Sequence, residues 1–305
     1  MSGGNKKGRE VNGIVLLDKS VGNTSNHSLQ RIKRLFEAKK AGHTGSLDPL
    51  ASGLLPICFG QATKVAQYLL DDDKRYFVVA KLGQISSTGD IEGDIESFGS
   101  TNNIDKASIR AILTQFVGGI DQIPPMYSAL KRNGTPLYKL ARKGIEVERE
   151  SRAVTIHKIN MLSYTEEMLS LEVCCSKGTY IRTLVEDIGK ALGCGGHVIE
   201  LRRTGFAHFD IVESKTYEQL LELKKESIES LDSVLLGAHD ILPGIESVYL
   251  DAKQITDIKL GRKVQYGSFD KINKVKLFDN NQIFIGIGQT NLLGEILPKR
   301  LFVIN

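Results

Sequence analysis

The chain has 305 residues, of which 41% are hydrophobic and 25% are charged, and its formal net charge is +4. These values exclude a disordered or fibrous chain, and the length suggests about two domains. No stretch reaches the roughly 18 apolar residues that span a bilayer, and the polar first residues lack the apolar core of a secretory signal. We therefore predict a cytoplasmic protein that does not enter the membrane.

Apolar spacing and turn residues predict the elements of the first 246 residues. Residues 1–10 are rich in Gly and Lys and are predicted to be disordered. A helix begins near Ser25, with Ser25 or Asn26 as its N-cap. The other predicted elements are, in chain order, a strand at 13–19, a Gly-rich structured loop at 42–60, a helix at 62–70, a strand at 75–82, an acidic loop at 86–96, helices at 104–116 and 136–143, a β-hairpin at 154–164 and 168–175, and helices at 180–192, 217–223 and 228–235.

A second domain follows Pro243 and Gly244, which mark a boundary. Short strands are predicted there at 264–266, 274–278, 283–288 and 301–304, separated by turns, and this pattern is typical of a small β-barrel. The sequence thus predicts an α+β fold. Residues 11–246 form a domain with a central antiparallel sheet and flanking helices, and residues 247–305 form the barrel.

The positive charge is concentrated in two zones. Residues 250–305 carry 9 Lys or Arg against 5 Asp or Glu, a surplus of +4, so the rest of the chain balances at 31 against 31. Residues 26–64 hold six basic residues against two acidic ones. Two basic zones far apart in sequence suit an extended polyanion. Solvated protein faces would explain the same distribution equally well.

The cysteines and histidines carry no metal-binding or redox pattern. The four cysteines, Cys58, Cys174, Cys175 and Cys194, have no CxxC spacing, and the six histidines form no HExxH motif. The adjacent Cys174 and Cys175 are interpreted as small apolar residues of a strand, and a disulfide is not expected in a reducing compartment. We predict that the protein holds no metal and no cofactor.

The segment at residues 42–64, GHTGSLDPLASGLLPICFGQATK, is the strongest candidate for chemistry. It is not a phosphate-binding loop, because no GK[ST] follows its glycines, and it has no GxSxG elbow. What remains is a single carboxylate, Asp48, whose backbone is biased away from helix by Pro49. Such a turn can present Asp48 to a cleft, but it can equally cap a helix at Leu50, and the pattern alone leaves both interpretations open.

This segment closely resembles the signature of the TruB family of pseudouridine synthases. The element VNGIVLLDKSVGNTS also resembles a family motif, although Ser20 stands where the family usually has proline. The further matching segments, which occur in the family order, are QYLLDDDKRYFVVAKLG, IPPMYSALKRNGTPLYKLARKGIEV and CSKGTYIRTLVEDIGKALGCGGHVIELRRTGFAHF. The resemblance covers residues 11–305.

The resemblance implies that the protein isomerises the T-loop uridine of tRNA, position 55, to pseudouridine. The reaction breaks the N1–C1′ bond, turns the base and rejoins it through C5, so it needs no cofactor. By resemblance Asp48 is the catalytic carboxylate, which fits carboxylate catalysis in general. It leaves open whether Asp48 attacks C1′, attacks C6 or removes a proton from C2′. Arg182 matches the arginine placed against this carboxylate, and Tyr76 matches a tyrosine that stacks on the uracil and takes the proton from C5.

Three more residues are assigned by resemblance to substrate binding. Tyr180 matches a second ring of the pocket, Leu201 matches a contact to the base, and His43 matches the residue that fills the space left by the flipped base. Without the family, Tyr180 would be the start of a helix, Leu201 a core residue and His43 a hydrogen-bonded loop residue.

The implied partner is tRNA, recognised through its T-arm stem-loop by a monomer without a protein partner. Basic residues near the loops are predicted to contact phosphates, namely Lys19, Lys64, Lys131, Arg132, Lys139, Arg142 and Lys143. The barrel resembles a PUA-type RNA-binding module and carries none of the matched site residues, so its removal is expected to weaken RNA binding and spare the chemical step. The alternatives are a synthase that depends on a guide RNA and an RNA chaperone that has lost catalysis.

Overall fold

The computed structural model describes residues 8–302. Its strands up to residue 210 are β1 (Gly13–Lys19), β2 (Ala41–His43), β3 (Ser52–Phe59), β4 (Lys74–Leu82), β5 (Gln84–Ser86), β6 (Ile95–Ser97), β7 (Gly118–Gln122), β8 (Lys131–Arg132), β9 (Thr135–Pro136), β10 (Arg152–Thr165), β11 (Met168–Cys175), β12 (Gly196–Phe206) and β13 (Phe209–Asp210). The helices of this part are α1 (Ser25–Leu35), α2 (Ala66–Leu70), α3 (Lys106–Gln115), α4 (Leu137–Ala141), α5 (Ile181–Ala191), α6 (Tyr217–Glu226) and α7 (Ile228–Asp232), with 3₁₀ turns at Gly60–Lys64 and Ile211–Glu213.

One large sheet organises this part of the chain. Its strand order is β1-β3-β12-β4-β11-β10-β7, with β2 added to β3 and β13 added to β12. All of these pairs are antiparallel except β12 with β3, which run parallel over a two-residue contact. Helix α5 packs against β12. The predicted α+β fold with a central, mainly antiparallel sheet and flanking helices is confirmed, and so is the predicted hairpin, which forms β10 and β11.

The second half of the predicted loop at 42–60 is a buried strand, β3, so that prediction was wrong. All eight residues of β3 are buried. Its Gly53 has φ +102°, and a Cβ there would lie 2.3 Å from the Arg203 carbonyl oxygen, so glycine permits a close contact between strands. Pro56 has no N–H to donate, but its carbonyl accepts a hydrogen bond from the Thr44 N–H at 3.1 Å. Glycine and proline here mark local requirements of a sheet.

Strand β12 was not predicted, although it lies between β3 and β4 in the middle of the sheet. The charged residues Glu200, Arg202 and Arg203 interrupt its apolar pattern. Arg203 is nonetheless buried, and Arg202 forms an ion pair with Asp18 at 2.6 Å. Arg202 and Arg203, which disguise β12 as a polar segment in the sequence, therefore bind partners that are distant along the chain.

Three smaller predictions also need correction. The N-cap of α1 is Thr24, whose hydroxyl oxygen accepts the His27 N–H at 3.1 Å, because the Ser25 side chain is engaged elsewhere. The predicted acidic loop at 86–96 is framed by the short paired strands β5 and β6. The predicted disorder of residues 1–10 lies outside the described residues up to residue 7. Arg9, however, is held by two hydrogen bonds of 2.5 Å to the Asp232 carboxylate.

The C-terminal part forms a separate five-stranded sheet. It comprises β14 (Glu246–Leu250), α8 (Ala252–Lys259), β15 (Val264–Gln265), β16 (Lys274–Asp279), β17 (Phe284–Thr290) and β18 (Glu295–Leu301). The order is β14-β16-β17-β18-β15, and α8 packs against both edge strands, so a half-barrel results. Strand β14 was not predicted, and of the predicted strand at 301–304, residues 303 and 304 lie outside the described residues.

The half-barrel shares a hydrophobic core with the larger sheet. Ile287 of β17 is fully buried in one cluster with Cys58 and Leu242, and Phe302 packs against the same cluster. The Lys64 ammonium donates to the Leu301 carbonyl at 2.8 Å across the same junction. The C-terminal domain is therefore anchored through apolar contacts as well as through hydrogen bonds. Within residues 8–302, no helix is long and apolar enough to cross a membrane.

Candidate active site

A cleft of about 310 Å³ opens beside the central strands of the large sheet. Its volume lies in the range of about 300–1,000 Å³ that is usual for ligand sites. The walls come from the loop between β2 and β3, from strands β4 and β12, and from the start of α5. The lining residues are Gly45, Ser46, Leu47, Asp48, Leu70, Lys74, Tyr76, Ser128, Ala129, Ser176, Gly178, Thr179, Tyr180, Ile181, Arg182, Leu201 and Arg203. Four of the five residues predicted as substrate-contacting or catalytic partners of Asp48 thus line one cleft with it.

The loop that presents Asp48 is fastened to the N-terminal element at residues 19–25. The Ser25 hydroxyl accepts the Leu47 N–H at 2.7 Å and donates to the Leu47 carbonyl at 3.0 Å. The Gly22 N–H donates to the Pro49 carbonyl at 2.8 Å. The buried Lys19 ammonium donates to the Ala51 carbonyl at 2.6 Å. The conformation of this loop therefore depends on residues more than 20 positions earlier, so it cannot be predicted from the loop sequence alone.

Asp48 forms an ion pair with Arg182 at the bottom of the cleft. An Asp48 Oδ2 oxygen lies 2.9 Å from Arg182 Nη2, and the Asp48 side chain retains 40% exposure to the cleft whereas Arg182 retains 5%. Burial raises the pKa of Asp48 above its ordinary value, because the charged form loses hydration; the Arg182 guanidinium opposes that rise, and Asp90 adds to it. The arginine therefore favours the ionised carboxylate in an environment that disfavours it. This is the pairing that the sequence analysis assigned by resemblance.

Arg182 is held from three other directions. It donates to the Thr88 carbonyl at 3.0 Å and to the Tyr127 carbonyl at 2.7 Å, and its Nη1 lies 3.4 Å from Asp90 Oδ2. Asp90 is itself buried and accepts the Thr88 hydroxyl at 2.6 Å. The sequence analysis missed Asp90, because it lies in a stretch so polar and acidic that its composition predicts a solvated loop.

Two tyrosines face the cleft from opposite elements. Tyr76 belongs to β4, and burial raises the pKa of its hydroxyl to about 12, so the phenol is neutral near pH 7. Tyr180 is the residue that precedes α5, and its main chain is clamped by the buried side-chain amide of Gln122. The Tyr180 N–H donates to Gln122 Oε1 at 3.0 Å, and Gln122 Nε2 donates to the Tyr180 carbonyl at 3.3 Å. Leu201, buried on β12, completes the apolar wall.

His43 lies apart from the lining of the cleft. It is on β2, paired with Ile57 of β3, and it does not line the cleft itself. Its Nδ1 is buried and has no hydrogen-bond partner within residues 8–302. Burial, followed by the charge of Arg203, lowers the pKa of His43, which favours the neutral imidazole. The structure thus places His43 next to the loop of Asp48 and outside the pocket.

Two buried cations, Arg203 and Lys74, also line the cleft, and the sequence analysis missed both. Arg203 is 1% exposed and donates to the Leu54 carbonyl at 2.7 Å and the Gly45 carbonyl at 3.2 Å. Lys74 is 7% exposed, and burial lowers its pKa to about 8. Charged residues are seldom buried without a partner, so burial of these two could not be inferred from their type.

The predicted phosphate-contacting residues divide into two groups. Lys19 is buried and its ammonium donates to the Ala51 carbonyl, so the prediction needs correction for Lys19. Lys64 is half-buried and its ammonium donates to the Leu301 carbonyl, and its contact with phosphate stays a prediction. The others are exposed, namely Lys131, Arg132, Lys139, Arg142 and Lys143. Among the described residues, no group of three or more His, Cys, Asp or Glu side chains could hold a metal ion.

Three family models match the chain in succession. Residues 33–181 match the model for "TruB family pseudouridylate synthase (N terminal domain)". Residues 182–242 match "tRNA pseudouridylate synthase B C-terminal domain", and residues 247–302 match "Pseudouridine synthase II TruB, C-terminal".

The chain is similar in sequence to curated proteins and similar in fold to a solved structure. The chain is 47% identical over 303 residues to tRNA pseudouridine synthase B of Actinobacillus pleuropneumoniae, covering 99% of each chain. It is 49% identical over 294 residues to the protein of that name from Pseudomonas putida, covering 96% of each. Its fold superposes with a TM-score of 0.71 on a chain of the archaeal box H/ACA sRNP Nop10-Cbf5 complex, at 22% identity, covering 98% of this chain and 92% of that one.

Proposed function

The chain belongs to the TruB family of pseudouridylate synthases, and we propose that it converts the T-loop uridine of tRNA, position 55, to pseudouridine by base flipping and Asp48 catalysis. The observation that carries this proposal is the Asp48–Arg182 ion pair of 2.9 Å inside a cleft lined by Tyr76, Tyr180 and Leu201. The enzyme is thus an isomerase that acts on RNA.

Asp48 supplies the reactive carboxylate. The isomerisation conserves every atom of the nucleoside, so what it requires from the protein is a nucleophile or base and a pocket for the detached base. The Arg182 guanidinium favours the ionised form of Asp48 against the effect of burial, and it fixes the orientation of the carboxylate. Hydrogen bonds from Arg182 to two carbonyls, and its contact with Asp90, keep the guanidinium itself in place.

Tyr76, Tyr180 and Leu201 hold the base while it is detached. Aromatic faces bind unstacked bases well, and the apolar wall excludes water that would compete with the rejoining step. A hydroxyl whose pKa is about 12 is a poor proton acceptor near pH 7, which favours a stacking role for Tyr76 over removal of the C5 proton.

The target base must leave its stack to reach this cleft. We assign His43 to the space that the flipped base vacates in the RNA, because it lies beside the Asp48 loop but outside the pocket. Its neutral imidazole can stack on neighbouring bases without a charge to desolvate. The exposed basic residues of 131–143 and the half-barrel, a PUA-like RNA-binding domain at 247–305, contact phosphates of the T-arm.

The protein acts as a monomer without a protein partner. The chain matches proteins named tRNA pseudouridine synthase B over 96–99% of its length at 47–49% identity, against 22% identity to the chain from the archaeal complex. An RNA chaperone without catalysis would have no need of a carboxylate held in a cleft by a buried arginine, since burial of that charge is costly.

The test is incubation of the purified chain alone with a T-arm stem-loop RNA. Pseudouridine is mapped by carbodiimide modification and reverse transcription, and we expect full conversion at one uridine. The control RNA has cytidine at that position. An RNA that is bound and left unmodified would reject catalysis in favour of the chaperone alternative, and modification that requires an added guide RNA or protein would reject the stand-alone assignment.

A further inference from the structure

The cleft contains two positive charges that lack a carboxylate partner. Arg182 pairs with Asp48 and Asp90, and Arg202 pairs with Asp18. Within residues 8–302, by contrast, neither Arg203 nor Lys74 has a carboxylate within ion-pair distance. Both are more than nine-tenths buried. Buried charges are usually paired, because the loss of hydration is expensive.

The two cations also lie close to each other. The Arg203 guanidinium lies 4.9 Å from the centre of the Phe206 ring, and the Lys74 ammonium lies 4.8 Å from the same centre. Backbone carbonyls accept hydrogen bonds from both, from Leu54 and Gly45 for Arg203 and from Leu70 for Lys74. Carbonyl dipoles and one shared ring attract cations, but they do not neutralise them. Asp72 and Asp73 act on Lys74 only from beyond ion-pair distance, and neither acts on Arg203. Arg203 therefore keeps a positive charge without a carboxylate partner at this end of the cleft.

The position of this charge is specific. Arg203 and Leu201 lie two residues apart on β12, so their side chains point to the same face of the sheet, whereas Arg202 points to the other. The charge of Arg203 also opposes the rise that burial causes in the pKa of the Tyr76 hydroxyl. The unpaired cations thus adjoin Tyr76 and Leu201, two of the three residues to which the base-holding role was assigned.

We propose that Arg203, assisted by Lys74, stabilises the negative charge that develops on the uracil ring during the isomerisation. This inference rests on the proposed function. When the C1′–N1 bond breaks heterolytically, its electron pair goes to N1 and spreads over the ring and O2. C1′ then forms a bond to the Asp48 carboxylate, or it forms a double bond to C2′ as the C2′ proton leaves. If Asp48 adds to C6 instead, the pair moves to C5 and O4. On every route the C1′–N1 bond breaks and negative charge lies on the base, and an electron pair of the base then forms the C5–C1′ bond. Asp48 is released, or C2′ regains its proton, and C5 loses its proton while N1 gains one.

Fixed cations aimed at developing charge lower the barrier without strengthening binding of the neutral substrate. Arg203→Met, which keeps length and removes charge, should therefore lower the single-turnover rate by about 100-fold. It should leave the Kd and KM of the stem-loop within about threefold, because phosphate contacts supply most of the affinity. Arg203→Lys, which retains the charge, should recover part of the rate.

The decisive measurement is how the rate defect of Arg203→Met changes when the target base itself stabilises negative charge better. A stem-loop with 5-fluorouridine at the target position carries an electron-withdrawing atom nearly as small as hydrogen, and the rate measured is loss of the N1-linked nucleoside. The ratio of wild-type to Arg203→Met rates should shrink by about tenfold with this RNA, because the substrate itself now stabilises the charge. A merely structural role predicts the same ratio with both RNAs, and that result would overturn the proposal.

Arg202→Met is the matched control, because it removes the same charge from the next residue of β12, on the opposite face. Its rate ratio should not change between the two RNAs. If Arg203→Met melts below the assay temperature, Lys74→Met decides the question by the same ratio, with a smaller defect expected. A wild-type enzyme that leaves uridine unmodified refutes the proposed function itself, whereas an active wild type with equal ratios refutes only the role of Arg203 and Lys74.

Discussion

The active-site cleft and the C-terminal half-barrel use charge in opposite ways. In the cleft the ionic groups are few and buried, as Asp90, Arg182 and Arg203 show. In the half-barrel the surplus of +4 lies on side chains that are partly or fully exposed, and no charged side chain is buried among the described residues of 247–302. The interaction energy between two charges becomes weaker as the local dielectric constant and the salt concentration rise, so it is stronger in the buried cleft than on the exposed half-barrel. One charge removed from the cleft should therefore alter chemistry, while one removed from the half-barrel should alter only affinity.

The largest effect is expected from the centre of the cleft. Asp48→Asn keeps the shape and removes the charge, so it should lower turnover by about 10³-fold or more while the Kd for RNA stays within about threefold. Single-turnover kinetics and filter binding measure the two quantities. Asp94→Asn, on an exposed loop residue, is the control and should leave both unchanged. Substantial pseudouridine formation by pure Asp48→Asn protein would eliminate Asp48 as the catalytic group.

Arg182→Met should lower the rate by about 100-fold and also move its pH dependence. The proposed mechanism uses ionised Asp48, whose pKa is raised by burial and lowered by the Arg182 guanidinium. The rate should fall as pH decreases through that pKa, and loss of the guanidinium should shift this acid limb to higher pH. A pH profile of single-turnover rates checks the sign. An acid limb that stays in place, or that moves to lower pH, would show that Arg182 does not set the ionisation of Asp48.

The core shared by the two domains should contribute to the stability of the chain. Ile287→Ala should lower the free energy of unfolding by about 2–5 kcal/mol, because Ile287 is fully buried between the two domains. Ile272→Ala, at a residue of the same domain that is 58% exposed, is the matched control. Chemical denaturation measures both. Deletion of residues 250–305 should likewise destabilise the whole chain, which revises the sequence-based expectation of a removable module; a truncated protein that melts like the full chain would restore it.

The smallest effect is expected from the exposed charges of the half-barrel. Lys299→Gln combined with Arg300→Gln should weaken RNA binding and reduce the slope of log K against log salt by up to about two units. The rate at saturating RNA should not change. The control is Arg262→Gln with Lys263→Gln, where the same charge is lost from residues already paired with Asp257 and Glu295. A lower single-turnover rate for the Lys299 and Arg300 variant would contradict the division between the two regions.

The parts of the fold that the sequence predicted well are local. The hairpin of β10 and β11 pairs residues joined by a short turn, so its apolar alternation and its partner lie in one stretch of chain. Helix α5 likewise follows from its spacing and from the glycine that ends it. Strands β3 and β12 were missed because their main partners lie elsewhere in the chain: β3 pairs with β1, tens of residues earlier, and β12 pairs with β4, more than a hundred residues earlier. Burial against these partners overrides the glycine, proline and arginine in the two strands.

The same distinction applies to the site. Asp48, Tyr76, Tyr180, Arg182 and Leu201 were identified through motifs, and the motifs are properties of the sequence itself. The burial of Asp90, Lys74 and Arg203 became apparent only in three dimensions, since an acidic or basic side chain is expected to be solvated until its surroundings are known. Burial of a charge depends on every element packed around it and is therefore decided by the tertiary structure, whereas the order of the motifs was determined by the sequence alone.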